Sequence, residues 1–165
     1  MLHKMSIDGL AMDPSSNTPI ILLKSEDDGQ TIPIWIGLLE ATSIASSMQD
    51  IKFDRPMTHD LFKNFISMLD IDVSKIEVCD IKDNTYYAKI YFISREKNFS
   101  IDARPSDAIA IALRFNAPIY VDDLVIAKSN HGDSKTEAVD KSEEGKKWAK
   151  YLEKLSLKDF GKYKV

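Results

Sequence analysis

Cysteine occurs once in these 165 residues, at position 79. That excludes an internal disulfide and a zinc site built on several thiolates. No apolar run approaches the ~18–20 residues that a membrane-crossing helix needs. The opening stretch MLHKMSIDGLAMD lacks the long apolar core of a secretory leader, so a cytoplasmic protein that does not engage a membrane is expected. Basic charge is not in excess either. Residues 1–126 carry 12 Lys and Arg against 19 Asp and Glu, and residues 127–165 carry 10 against 7, for a net charge of −4. Proteins that grip nucleic acid nonspecifically neutralise phosphates with a basic face. The main body has no such excess, which still leaves room for a small cleft acting on phosphates. P-loop, dinucleotide-fold, GxSxG, HExxH and EF-hand patterns are all missing.

What is present is a composition of 44% apolar and 29% charged residues, that of an ordinary globular domain with a real core. Alternation and turn chemistry predict strands over 2–12, 20–24 and 31–37, the second and third joined through Asp28-Gly29. A helix follows over 38–50, with Leu38, Ala41, Ala45 and Met48 at helical spacing. Thr58 is placed to cap a second helix whose stripe is Leu61, Phe62, Phe65, Ile66 and Leu69. Strands are predicted over 74–82, 85–94 and 99–104, then a helix from Pro105 to about Phe115, and one or two short strands in APIYVDDLVIAK. Strand 85–94 is apolar on both faces, with Ala88, Ile90 and Phe92 on one and Tyr87, Tyr91 and Ile93 on the other. Such a strand is expected to be covered on both sides, by helices or by a second subunit. The expected domain is residues 1–127. A polar linker (128–141) and a C-terminal helix and tail (142–165) follow, that helix carrying Trp148, Tyr151, Leu152 and Leu155 on one stripe.

The two halves align at an offset of 67 residues: IPIWIGLLEATSIASSM lies over FSIDARPSDAIAIALRF. Each half then reads as β-β-β-α ending in a short extended segment, IKFDR in the first and PIYVD in the second. Two such units predict an α+β fold with an antiparallel-rich sheet and an internal duplication. The alignment also sorts the polar residues. Asp107 and Glu40 fall on one another, both near a helix start where a carboxylate favours the positive dipole end. Asp102 and Arg104 fall on Trp35 and Gly37, so the second half alone has an acid and a base there.

Two readings of these residues stand side by side. In the first they punctuate helices, with Asp102 and Arg104 locking a strand-to-helix corner as an ion pair. In the second they carry chemistry. A divalent cation such as Mg²⁺ or Mn²⁺ acting on a phosphodiester needs converging oxygen ligands. Asp102 and Asp107, with Asp122 or Asp123, are the candidates. Arg104 has the fork geometry to hold a phosphate oxygen, and His59, beside Arg55 and Asp60, suits proton transfer.

IPIWIGLLEATSIA (32–45), RPMTHDLF (55–62), TYYAKIYF (85–92) and above all SIDARPSDAIAIALRFNAPIYV (100–121) resemble the bifunctional nuclease domain family. The resemblance covers about residues 1–126. It implies an α+β fold, homo-oligomers of the dimer kind, and a nuclease that hydrolyses phosphodiester bonds of DNA or RNA. Inside the motifs lie Glu40, Arg55, His59, Asp102, Arg104 and Asp107. They are the expected site residues, the first two for binding. The alternative is a noncatalytic oligomeric binding or regulatory module in which the same motif is architectural.

Overall fold

The computed structural model describes residues 1–129. The predicted linker beyond Ser129 and the predicted C-terminal helix lie outside the described residues. Strands β1 (Leu2–Asp13), β2 (Thr18–Ser25) and β3 (Thr31–Trp35) lead into helix α1 (Leu38–Met48) and then α2 (Thr58–Met68). Strands β4 (Asp72–Lys82), β5 (Thr85–Ile93) and β6 (Asn98–Ala103) lead into α3 (Pro105–Phe115), followed by β7 (Ile119–Asp122) and α4 (Asp123–Ser129). This is an α+β fold around a single seven-stranded sheet of order β3-β2-β1-β7-β4-β5-β6. All neighbouring strands are antiparallel except β4 and β7, which run parallel.

Turn chemistry places the hairpins. Asp83 and Asn84 both have positive φ (47° and 58°) between β4 and β5, as a tight two-residue hairpin turn of matching twist requires. Between β2 and β3 the positive φ falls on Gly29. Asp13 fixes the β1–β2 connection. Its carboxylate accepts from the Ser15 backbone and hydroxyl, the Ser16 hydroxyl and Trp35 Nε1, all at 2.8–3.0 Å. These donors, those of Ser15 foremost, hold the Asp13 carboxyl well below the usual carboxylate range.

Register assigns the faces. Ile21, Ile34, Leu23, Ile32, Ile76, Val78, Ala88, Ile90, Ile119 and Val121 share one face and are almost wholly buried. Helix α3 lies on that face against β4 and β5, flanked by α1 and α2. Its Ala108, Ile109, Ala110, Ile111 and Ala112 are all buried, and the small side chains let it sit close to its neighbours on several sides.

The sheet is curled. Five interstrand steps of about 4.8 Å would hold β3 and β5 roughly 24 Å apart in a flat sheet. Yet the Tyr86 hydroxyl on β5 donates to the Pro33 carbonyl on β3 at 3.3 Å. The two ends of the sheet therefore bend toward each other, and α1 and α3, which start just past the two edge strands, pack side by side.

The same elements recur at the predicted offset: β2 and β5 begin at Thr18 and Thr85, α1 and α3 at Leu38 and Pro105. The correspondence stops after the helices. Ile119–Asp122 is a strand, whereas IKFDR is irregular chain leading to α2.

Several expectations need correction. The second closing strand of APIYVDDLVIAK is α4, since Val125 and Ile126 turn inward at helical rather than alternating spacing. Inward residues of α1 are Ala41, Ile44 and Ser46, while Leu38 and Met48 are exposed. Helix α2 starts at Thr58 with Met57 as its cap residue, because Asp60 reaches back to the Met57 N–H at 3.0 Å. Of its predicted stripe only Ile66 is buried and Phe62 half-buried, while Leu61, Phe65 and Leu69 are exposed. Among the described residues no helix packs on the outer face of β5. Lys75 lies over the Tyr91 ring at 4.5 Å and Lys82 over Tyr87 at 5.5 Å, so lysine stems shield those rings while the ammonium groups pair with Glu77 and Asp80.

Candidate functional site

Three helices meet where the two sheet ends approach. Each presents one polar side chain: Ser43 from the second turn of α1, His59 from the first turn of α2, Asp107 from the first turn of α3. They form a chain of hydrogen bonds. Ser43 Oγ is 2.9 Å from His59 Nδ1, and His59 Nε2 is 3.1 Å from Asp107 Oδ1. The other Asp107 oxygen accepts from Arg104 Nε at 2.8 Å, and Arg104 Nη2 reaches Glu40 Oε1 at 2.8 Å.

Local sequence explains why these groups land here. Pro105 opens α3 as its first residue, so Asp107 is third, and Glu40 holds the same rank in α1. The Glu40 carboxylate folds back over its own helix start: a Cβ on Gly37 would lie 2.2 Å from Glu40 Oε2. Glycine at 37 therefore makes room for an acid that must turn inward to meet Arg104. Arg104, at the equivalent rank in the second half, spans the two helix starts and pairs with both carboxylates.

Arg114 fixes the three helices relative to one another. From α3 its Nε donates to Asp60 Oδ1 on α2 at 2.5 Å, and its Nη1 to the Ser43 carbonyl on α1 at 3.4 Å. Its side chain is only 7% exposed. The cluster opens into a cavity of about 280 Å³, whose walls include Leu39, Phe53 and Met57 beside Glu40, Ser43, His59, Arg104 and Asp107. This is near the lower end of small-ligand pockets. Arg104 is exposed at its mouth.

The electrostatics follow from the contacts. The His59 hydrogen bond, with Arg104 beside it, holds the Asp107 carboxyl below its usual value, against the opposing effect of partial burial. Asp107 in turn raises Arg104. An ionised Asp107 accepts a proton-bearing Nε2. In the neutral imidazole that leaves Nδ1 as an acceptor, and the Ser43 hydroxyl must then be the donor.

Four of the six expected site residues converge here: Glu40, His59, Arg104 and Asp107. Two do not. Asp102 pairs across the sheet with Lys89, while its neighbour Ile101 pairs with the buried Ile90. Alternation thus turns Asp102 to the face away from the helices. It makes neither the expected corner ion pair with Arg104 nor a metal site with Asp107. Arg55 is exposed in the chain before α2 and does not line the cavity. Asp123 hydrogen-bonds His3 instead of joining Asp107. Among the described residues no three His, Cys, Asp or Glu side chains come together as a metal site, and both Asp107 oxygens are taken by His59 and Arg104. The residues present therefore do not fit the expected Mg²⁺ or Mn²⁺ ion at Asp102 and Asp107.

Ser43 and Arg114 were missed by sequence reasoning. A signal for Ser43 existed: its counterpart at offset 67 is Ala110, so it is as asymmetric between the halves as Arg104 against Gly37.

The chain belongs to the bifunctional nuclease domain family, whose model matches residues 21–133. It is 32% identical over 164 residues to the uncharacterised protein Rv1829 of Mycobacterium tuberculosis, covering 96% of this chain and 98% of that one. It is also 32% identical over 108 residues to bifunctional nuclease 1 of Arabidopsis thaliana, and 30% identical over 106 residues to bifunctional nuclease 1 of Oryza sativa subsp. indica. These matches cover 62% and 61% of this chain and about a third of each plant protein. Among the described residues no helix is long and apolar enough to cross a membrane.

Removing the Arg104 charge should raise the Asp107 carboxyl toward its ordinary value. A depressed carboxyl stabilises the fold above its unfolded pKa, and that contribution fades as pH falls through the folded value. Carboxyl NMR titration of Arg104→Gln should therefore show Asp107 protonating at higher pH than in the unmutated protein, and the acid limb of stability should move up with it. An unchanged Asp107 titration would contradict the pairing.

Proposed function

We propose that this chain hydrolyses phosphodiester bonds of nucleic acid in the cavity between α1, α2 and the start of α3. The observation that carries the reading is the imidazole of His59, held between a hydroxyl and an ionised carboxylate inside a cavity with an arginine at its mouth. Membership of the nuclease domain family and the names of the plant relatives supply the substrate class. His59 moves the proton, Asp107 fixes the imidazole and stabilises its charged form, and Arg104 offers its remaining N–H groups to a phosphate oxygen. Glu40 holds Arg104 in place. General acid–base catalysis of this kind contributes about 10²–10⁴ in rate.

One observation favours a second reading. Arg104 ties the starts of α1 and α3 together through two carboxylates, which is what an architectural clamp in a noncatalytic module would do. A single assay separates the two. Cleavage of single-stranded DNA and RNA, with and without Mg²⁺ or Mn²⁺, is compared between the unmutated protein and His59→Ala. The catalytic reading expects a loss of at least about 10²-fold with little change in melting temperature. Absence of cleavage by the well-folded protein leaves only the clamp, and equal cleavage by the variant removes His59 from the chemistry.

The reading includes two further elements. The two halves arose as a duplicated β-β-β-α unit, supported by the shared offset of four element starts. The chain acts as a homodimer, supported by Leu61, Phe65, Met68 and Leu69, which leave an apolar stripe of α2 in solvent beside the cavity. Sedimentation should give a dimer that Phe65→Glu weakens. A monomer at all concentrations would remove this element.

A further inference from the structure

We propose that Ser43 is a nucleophile, and that the Ser43–His59–Asp107 chain works through a covalent bond between Ser43 Oγ and phosphorus. This deepens the phosphodiester reading and rests on it for its substrate.

The hydroxyl is set apart from its neighbours. Ser and Thr in helices ordinarily turn their hydroxyls back to a carbonyl one turn earlier. Thr42 does so, to the Leu38 carbonyl at 2.8 Å, and Ser46 to the Ser43 carbonyl at 3.0 Å. Ser43 instead directs its hydroxyl out of α1 to His59 Nδ1 at 2.9 Å. The imidazole's far nitrogen meets Asp107 at 3.1 Å. A hydroxyl, a base and a carboxylate that orients the base are the three parts of an activated serine, recognised by geometry and not by chain order. Here the hydroxyl lies on Nδ1 and the carboxylate on Nε2. Either ring nitrogen can accept a proton while the other is stabilised.

The three parts sit on three different helices, and a hydrogen-bonded arginine braces all three. Arg114 belongs to α3 with Asp107, pairs with Asp60 next to His59, and donates to the Ser43 carbonyl. All three side chains line the same cavity. Supporting parts held by packing and further hydrogen bonds are what a precise catalytic geometry needs.

The chemistry balances without a co-reactant beyond water. Ser43 Oγ forms a bond to phosphorus as its proton passes to His59 Nδ1. The bond from phosphorus to the leaving sugar oxygen breaks, and that oxygen takes the proton from His59. Water then gives a proton to Nδ1 while its oxygen attacks phosphorus. The Oγ–P bond breaks and Ser43 recovers its proton. Asp107 stays ionised, and Arg104 faces the charge on the phosphoryl oxygens.

An alkyl fluorophosphonate tests the step without nucleic acid: the Oγ–P bond forms, the P–F bond breaks and fluoride leaves. Incubated near neutral pH, the unmutated full chain should gain one phosphonyl group, and peptide mass spectrometry should place it on Ser43. This readout requires no variant to fold. His59→Ala, at matching melting temperature, should slow labelling at least about 10²-fold. No adduct on Ser43, or an adduct formed equally fast without His59, overturns the proposal. Cleavage of DNA or RNA by a chain that is not labelled at Ser43 removes the covalent step and keeps the nuclease reading. Labelling of Ser43 in a chain that cleaves neither removes the nuclease reading and keeps the nucleophile.

Discussion

A sheet that bends its two ends toward each other sets up everything else in this protein. Laid flat, the sheet would separate β3 from β5 by roughly 24 Å. The Tyr86–Pro33 hydrogen bond shows how far the curl goes. Each half of the chain leaves its third strand through a helix that returns over the apolar face. With the ends drawn together, the starts of α1 and α3 become neighbours, and α2 closes the third side. The cavity exists because three helix segments converge on one place, and the polar cluster exists because each begins with a side chain suited to a helix start. The carboxylates of Glu40 and Asp107, each at the third position of its helix, first serve the dipole and then, once adjacent, need a cation between them.

Magnitudes separate what holds the fold from what occupies the cavity. Burying one Ile, Val or Leu side chain contributes about 1.5–3 kcal/mol, and the core holds Ile21, Leu23, Ile44, Ile76, Ile90 and Ile109 at or near zero exposure. An ion pair with a well-exposed partner contributes about 0–1 kcal/mol, and the Arg104 side chain is 62% exposed. Arg104 therefore contributes less to the fold than one core side chain does. An arginine that contributes little to stability, placed at the mouth of a cavity, is available for a ligand. The buried Arg114 differs: it is enclosed, paired and shared among three helices, and belongs to the framework.

Most of the fold was legible in the sequence because local rules and the core agree. Alternation marks the strands, Asp28-Gly29 the β2–β3 hairpin, and Pro105 the start of α3. The helical stripes were read less well. Leucine, phenylalanine and methionine at helical spacing on α1 and α2 suggested burial, yet Ala41, Ile44 and Ser46 face inward on α1, and Leu61, Phe65 and Leu69 remain outside on α2. Hydrophobicity alone does not reveal how close two helices come. The site was half legible. The offset between halves singled out both Arg104, which lines the cavity, and Asp102, which does not, because asymmetry in the alignment says nothing about which sheet face a residue occupies. Register does, and it places Asp102 opposite the helices. Ser43 met the same asymmetry test and was hidden inside an apolar helical pattern, where a serine reads as filler.

The account turns on which nitrogen of His59 carries the proton. If Asp107 holds it on Nε2, then Nδ1 is bare and Ser43 is the donor, able to give up its proton. Side-chain ¹⁵N NMR of the neutral imidazole measures this directly. The account predicts the proton on Nε2, and its loss of preference for that nitrogen in Asp107→Asn. A proton on Nδ1, with Ser43 as acceptor and a bare Nε2 facing Asp107, would contradict it.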